Sequence, residues 1–523
     1  MLMKGWRVKS RSLTVAVALG LVLAGCGGGG SDDDGGPVGE PKQGGTLTYA
    51  VNVETVSLDP AFCTLSFDRC APIFGTLLRY DVDKQQFVGQ MAESFESTDG
   101  KSWTLKLRDG VTFSDGTPYD AEAVVYNWDR IKDPKTLAPS ARYTQGLTWK
   151  VVDPLTVAVT SEVPNFQLPW ALTQGLSTIG SPKAIEAAGE DIANSPVGAG
   201  PFVLDKWTRN SQAEYSRNKT YFEEGLPYLD KLVIKVIGAD DQRLNALRSG
   251  EIDVDWSLLT KDAKAIDSEG GYDIYRVPLN GGTGLQFNLK DPVVSDEGLR
   301  QALLSAFDSA QINNAVYPGD EPVDAFLRPD SPYRDDALGK FPEKDLDEAQ
   351  RLFDDYLERT GKTSETVTFL CYAGIPALEQ VAQLIQSQMS KIEGLEFKLE
   401  PVDGATLSQR STARDFQTIM GASLSQDMDR LYSVFHTDAP LNVMGYSNPT
   451  VDEALDTTRR SNDPAEVEKA YQVVNGELSK DGPLRNWRYQ TGHLFANDKV
   501  QGIVLAGTSS GASAYWQYAW LNE

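Results

Sequence analysis

The chain has 523 residues, 41% of them hydrophobic and 9% aromatic, enough apolar material for a sizeable core and more than one domain. Its 49 Lys and Arg stand against 74 Asp and Glu, a net charge of −25, which argues against a duplex nucleic-acid partner. There are two histidines, His436 and His493, and no Cys-x-x-Cys, His-Glu-x-x-His or P-loop pattern. Zinc and P-loop nucleotide sites are thereby disfavoured, and neither a metal, a cofactor nor a catalytic residue is expected. The glycine-rich stretch Asn280–Phe287 lacks the spacing of a dinucleotide fingerprint.

Chain order begins with a positive stretch, Lys4, Arg7, Lys9 and Arg11, followed by the apolar run Leu13–Gly25. That run is too short to span a bilayer but fits the hydrophobic region of a secretory signal. It ends in Leu23-Ala24-Gly25-Cys26, which resembles the bacterial lipobox, whose cysteine is lipidated and becomes the mature N-terminus. Residues 1–25 therefore read as a lipoprotein signal peptide and Cys26 as the lipidation site. Residues 26–44, rich in Gly and Asp, read as a flexible tether. The protein is expected to be exported and anchored by lipid to the outer face of the cytoplasmic membrane. That compartment permits disulfides, and Cys63 and Cys70 are close enough in sequence for a local one, leaving Cys371 as a buried free thiol.

Beyond the tether, Leu47, Tyr49 and Val51 alternate as a strand, as do Trp103, Leu105 and Leu107. Asp120 is placed to cap a helix with Val124, Val125, Trp128 and Ile131 on its apolar face. Lys231–Ile237 reads as a strand, followed by a helix carrying Leu244 and Leu247 that stops at Gly250. Thr366–Tyr372, a helix opened by Pro376 and ended by Gly394, and the strand "LEFKLEPV" form a strand–helix–strand unit that predicts a parallel pair. The chain is thus mixed α/β.

Five segments then matter together: "GGTLTYAVNVETVSLDP", "MAESFESTDGKSWTLKLRDGVTFSDGTPYDAEAVVYNWDRI", "SPVGAGPFVLDKW", "LQFNLKDPVVSDEGLRQALLSAFDSAQI" and "GYSNPTVDEAL". In this order and spacing they resemble the bacterial family 5 extracellular solute-binding proteins, the peptide- and nickel-binding components of ABC importers. Within these blocks Trp103 and Phe113 read as core, Gly198 and Gly200 as turn residues, and Arg300 and Asp308 as ties within the second lobe. The resemblance implies a two-lobed periplasmic-binding-protein-like α/β fold with a hinge and an interlobe ligand cleft. Lobe I would take residues 45–279 plus 492–523, and lobe II residues 280–491. It also implies closure around ligand, a role in capture rather than chemistry, and delivery of an oligopeptide or peptide-like solute to permease subunits served by cytoplasmic ATPases. The body is expected to be monomeric. A ligand-presenting signalling receptor of the same fold and uptake of a non-peptide solute are the alternatives.

The resemblance places one cleft wall at Phe62, Thr64, Leu65 and Ser66, and a second at Thr283, Gly284, Gln286 and Phe287. Peptide binders of this family carry a Trp-x-x-Asp pattern whose aspartate pairs with the ligand's α-amine. Here Gly421 falls at the Trp position and Leu424 at the Asp position, so both groups are replaced; Asp427 or Asp429 is near enough to substitute. Acidic pairs of this kind otherwise read as loop or capping residues. A cleft without that anchor would suit a blocked, cyclic or modified peptide, or another polar solute.

Overall fold

Ten strands form one sheet through the whole body. Their order is Leu395–Val402, Glu365–Tyr372, Thr418–Ser425, Tyr272–Phe287, Leu484–Asn497, Val254–Ser257, Thr46–Val51, Lys231–Val236, Gln212–Arg217 and Phe202–Thr208. The protein is described by a computed structural model over residues 39–65, 67–82, 84–508 and 511–522. The expected signal peptide and Cys26 lie outside these residues.

Two of the strands are unusually long, and they connect the halves of the sheet. Tyr272–Pro278 pairs antiparallel with Thr491–Asn497, and Gly282–Gln286 pairs with Leu484–Tyr489, with a register shift between Pro278 and Gly282. On one side of this crossing, Leu47, Tyr49, Val254, Leu232 and Trp516 bury into one core. On the other, Phe287, Leu303, Phe353, Phe369 and Trp487 bury into another. The outcome is a two-lobed α/β fold hinged on a pair of crossing strands.

Local readings hold where side-chain periodicity decides them. In Ser102–Leu107, Trp103, Leu105 and Leu107 are buried and the intervening residues exposed. Trp103 and Phe113 both lie in the core beside a four-stranded sheet. The Asp120 side chain accepts the Ala123 N–H at 2.9 Å and caps the helix Ala121–Lys132. Gly250 ends the helix Asp240–Ser249 at φ 75°, the left-handed conformation that side chains disfavour. Glu365–Tyr372 and Leu395–Val402 pair in parallel, as the strand–helix–strand pattern predicts.

Three readings change. The helix opened by Pro376 stops at Met389, capped by Ser390, and Gly394 instead turns the chain into the next strand at φ 85°. Gly198 and Gly200 are not turn residues with positive φ. A Cβ on either would meet Ile73 backbone, standing 2.2 Å from its carbonyl oxygen at position 198 and 2.6 Å at position 200, so absence of a side chain allows two segments to touch. Finally, residues 42–44, read as tether, dock on the body. Gly44 N–H donates to Tyr228 O and Lys42 Nζ to Asn522 Oδ1, both at 2.8 Å.

Arg300 and Asp308 tie the second lobe internally, as expected. Arg300 Nη1 donates to Ser295 O at 2.7 Å, and Asp308 caps the helix Ser309–Val316 while pairing with Lys344.

Candidate functional site

The segment expected to form the first wall is a 3₁₀ turn, Pro60–Leu65, followed by the helix Phe67–Phe74. A Cys63–Cys70 disulfide joins them, with Cα atoms 5.8 Å apart and both residues buried in the core. Asp59 anchors the entry: it receives Arg130 Nη1 and Nη2 at 2.6 Å each and the Ala61 N–H at 2.9 Å. Phe62 packs half-buried against the neighbouring core, and the Thr64 hydroxyl bonds that of Ser140. Leu65 ends the turn, and Ser66 lies outside the described residues. Cys371 is free and buried, and burial pushes its thiol up to about 11.

The segment expected to form the second wall is mostly buried. Phe287 is fully buried in the second-lobe core, so its side chain faces packing and not a cleft. A Cβ on Gly284 would meet Arg485 O at 2.5 Å, so this glycine admits a neighbouring strand. Gln286 is buried, and its side chain occupies the space above Gly421, which pairs with Gly284 in the adjacent strand. Thr283 is half-buried at the crossing, its hydroxyl 3.4 Å from Gln490 Oε1. Leu424, also half-buried, packs against the first-lobe core and pairs with Gly281.

A pocket lies between the segments 142–171 and 427–459. Arg142, Tyr143, Gln167 and Trp170 line it from one side, and Asp427, Asp429, Arg430, Tyr432 and Arg459 from the other. Of the site positions expected from sequence, Asp427 and its alternate Asp429 are the ones that line it. The two sides also touch directly: Phe166 N–H donates to Arg459 O at 2.7 Å and Gln167 Nε2 to Thr458 O at 3.0 Å. These bonds join the first lobe to the carbonyl end of the helix Pro449–Arg460. The unpaired carbonyls at a helix C-terminus are ready acceptors for such a contact.

A polar chain spans the pocket. Arg142 Nη2 donates to Tyr143 Oη at 3.1 Å, Tyr143 Oη donates to Gln174 Oε1 at 3.2 Å, and Gln174 Nε2 reaches Asp427 Oδ2 at 3.5 Å. Asp427 Oδ1 accepts the Asp429 N–H at 2.9 Å. Asp429 is itself held by Arg459, whose Nε and Nη2 lie 2.7 and 2.8 Å from its two oxygens. The Arg459 guanidinium stacks 3.3 Å from the centroid of the Tyr432 ring. Burial pushes the Asp427 carboxyl up to about 7, and the Asp429 charge adds to the rise, against the opposing pull of the Asp429 N–H, Arg430 and Arg459.

This shift has a stability consequence. An ordinary carboxyl ionises near about pH 4. Between that value and about 7 the folded Asp427 keeps a proton that the unfolded chain has lost. The stability this group contributes is therefore present at low pH and lost as pH rises toward 7. Asp427→Asn, permanently neutral, should flatten the pH dependence of unfolding across that window. The change in slope should approach about 1.4 kcal/mol per pH unit. Urea unfolding of both proteins from pH 4 to 8 checks it; parallel pH curves would refute the assignment.

Among the described residues no group of three or more His, Cys, Asp and Glu side chains is arranged to hold a metal ion, and no helix is long and apolar enough to cross a membrane.

The polar pocket lies between the two lobes of the body. The chain matches the model of the bacterial extracellular solute-binding proteins, family 5, over residues 86–441, and belongs to that family. It is a solute-binding protein of the kind that serves ABC importers. Among its relatives, the oligopeptide-binding protein AppA of Bacillus subtilis is 26% identical over 538 residues, covering 96% of both chains. The glutathione-binding protein GsiB of Escherichia coli K12 is 25% identical over 456 residues, covering 84% of this chain and 87% of its own. Of solved structures, AgaA of A. tumefaciens R10 in complex with agropinic acid has a TM-score of 0.78 at 25% identity, over 92% of this chain and 99% of its own.

Proposed function

We propose that this chain captures an oligopeptide or a peptide-like solute between its lobes and hands it to an ABC permease. Closure around the solute would present one shape to the permease and another when empty. The observation that carries this reading is the polar pocket whose two sides meet through bonds from the Phe166 N–H and the Gln167 side chain to the helix end at Thr458 and Arg459. The relatives that bind oligopeptides or glutathione support the solute class. In this reading residues 45–279 and 492–523 act as lobe I and residues 280–491 as lobe II.

The test is mass spectrometry of small molecules that co-purify with the mature protein, followed by small-angle scattering with and without the solute found. A bound peptide-like compound that reduces the radius of gyration is the expected result. Turnover of that compound by the purified protein would overturn the reading.

Lipid attachment at Cys26 belongs to the same proposal, carried by Leu23-Ala24-Gly25-Cys26 after an apolar run. Each buried methylene of an acyl chain contributes about 0.8 kcal/mol to membrane binding. Cys26→Ala should move the protein from the detergent phase to the aqueous phase while leaving solute affinity unchanged. Detergent partitioning that persists in the variant would count against it.

A further inference from the structure

Two guanidinium groups face the interlobe pocket without an ion-paired carboxylate. Arg142 lines it from the first lobe and Arg430 from the second. Among the described residues neither has a carboxylate within ion-pair distance, although Arg459 nearby is paired with Asp429 at 2.7 Å. The side-chain partners of Arg142 are the Tyr143 hydroxyl at 3.1 Å and the Tyr143 ring, 4.7 Å from its centroid. Arg430 Nε is buried with no hydrogen-bond acceptor. Burial first, and then the Arg142 charge, hold the Arg430 guanidinium below its ordinary range, against a weaker pull from Tyr143 and Asp427. Two like charges in a partly desolvated pocket are mutually destabilising unless an anion sits with them.

The acids at the pocket do not meet this need. Asp427 Oδ1 is taken by the Asp429 N–H, and burial favours its neutral form. Asp429 is occupied on both oxygens by Arg459. Glu162 lines the pocket but is solvent-exposed, with its carboxylate over Gly146.

We infer that Arg142 and Arg430 form a split carboxylate site, one arginine from each lobe, which a carboxylate of the captured solute completes on closure. The chemistry is complementary, since a guanidinium presents several N–H donors and a carboxylate with two oxygens can bridge two such groups. Because the two arginines approach from opposite lobes, the anion also neutralises the repulsion that otherwise opposes closure. This deepens the capture reading and rests on it.

The experiment uses matched pairs of di-, tri- and tetrapeptides, free and N-acetylated, each with a free C-terminal carboxylate or as the primary amide. Affinities are read by titration calorimetry on the folded, unliganded protein. The free acids should bind roughly 10-fold or more tightly than the amides, the scale of charge-assisted hydrogen bonds. Arg142→Gln and Arg430→Gln should each bring that ratio close to one, and Arg142→Lys should restore part of it. The glutamine variants should also melt no lower than the parent without ligand, since each removes a repelling charge. Equal binding of acids and amides by the parent, or an unchanged ratio in both glutamine variants, overturns the inference and leaves capture standing. Failure of every peptide of both series to bind overturns peptide capture, and the inference falls with it.

Discussion

Asp320→Ala should destabilise the protein by about 3–5 kcal/mol, the cost of leaving a buried charge without its partner. Arg488 lies on the second crossing strand, and its Nε is 2.7 Å from Asp320 Oδ2. Both side chains are almost fully enclosed, at 4% and 3% exposure. The contact is an ion pair without the alignment of a hydrogen bond, so attraction of charge and not donor geometry holds it. Remaining partners of Arg488 are Leu258 O, reached by Nη2 at 2.7 Å, and the Tyr317 ring, 4.1 Å from its centroid. Neither neutralises a buried cation. In the double variant Asp320→Ala with Arg488→Met most of the loss should return, because the stranded charge is gone. Denaturant unfolding of the two variants beside the parent measures both effects. A loss under about 1 kcal/mol for the single change, or no recovery in the double, would show that water reaches the pair.

The other large effect is expected at Gly281, where the chain crosses between lobes. Its φ is 82°, and a Cβ there would stand 1.9 Å from Ser423 O. Alanine therefore meets two obstacles at once, a disfavoured backbone conformation and a carbonyl fixed in the adjacent strand. Together these should cost about 2–4 kcal/mol. Gly110 supplies the control: its φ is 76°, but nothing lies within 4 Å of a Cβ there. Gly110→Ala should cost only about 1 kcal/mol. If the two alanine variants unfold at the same denaturant concentration, the close approach at the crossing is not what requires glycine. The same substitution at Gly281 should also lower solute affinity, since the strand it would displace leads to Ser425 and Asp427.

Much of the fold was legible because it is written in local alternation and local capping. Trp103, Leu105 and Leu107 announce a strand with one buried face, and Asp120 caps its helix through its own side chain. The Cys63–Cys70 pairing follows from sequence proximity in a chain expected to be exported. The cleft was less legible for a physical reason. Its pocket joins residues 142–171 to 427–459, and no periodicity connects segments so distant. Arg142 and Arg430 carried no signal, because an arginine without an acid partner looks in sequence like any other arginine. Phe287 was placed in the wall by the resemblance, whereas the unbroken burial of residues 284–287 sets its side chain in packing. Gly198 and Gly200 were recognisable as special, but their purpose is set by Ile73, more than a hundred residues away.

The last residues of the chain return to the lobe where the first strand lies. Trp516 packs on Tyr49 at 5.0 Å between ring centroids, and Trp520–Leu521 pairs with Val500–Gln501 beside the same core. The strand Leu484–Asn497 also supplies the neighbour that Val254–Ser257 requires. A nascent chain therefore cannot finish its first lobe until nearly all of it has been synthesised. The second lobe, by contrast, has most of its strands in hand earlier. Such an order of assembly leaves the sheet of the first lobe open during synthesis, although the core drawn from residues 61–199 is already in hand.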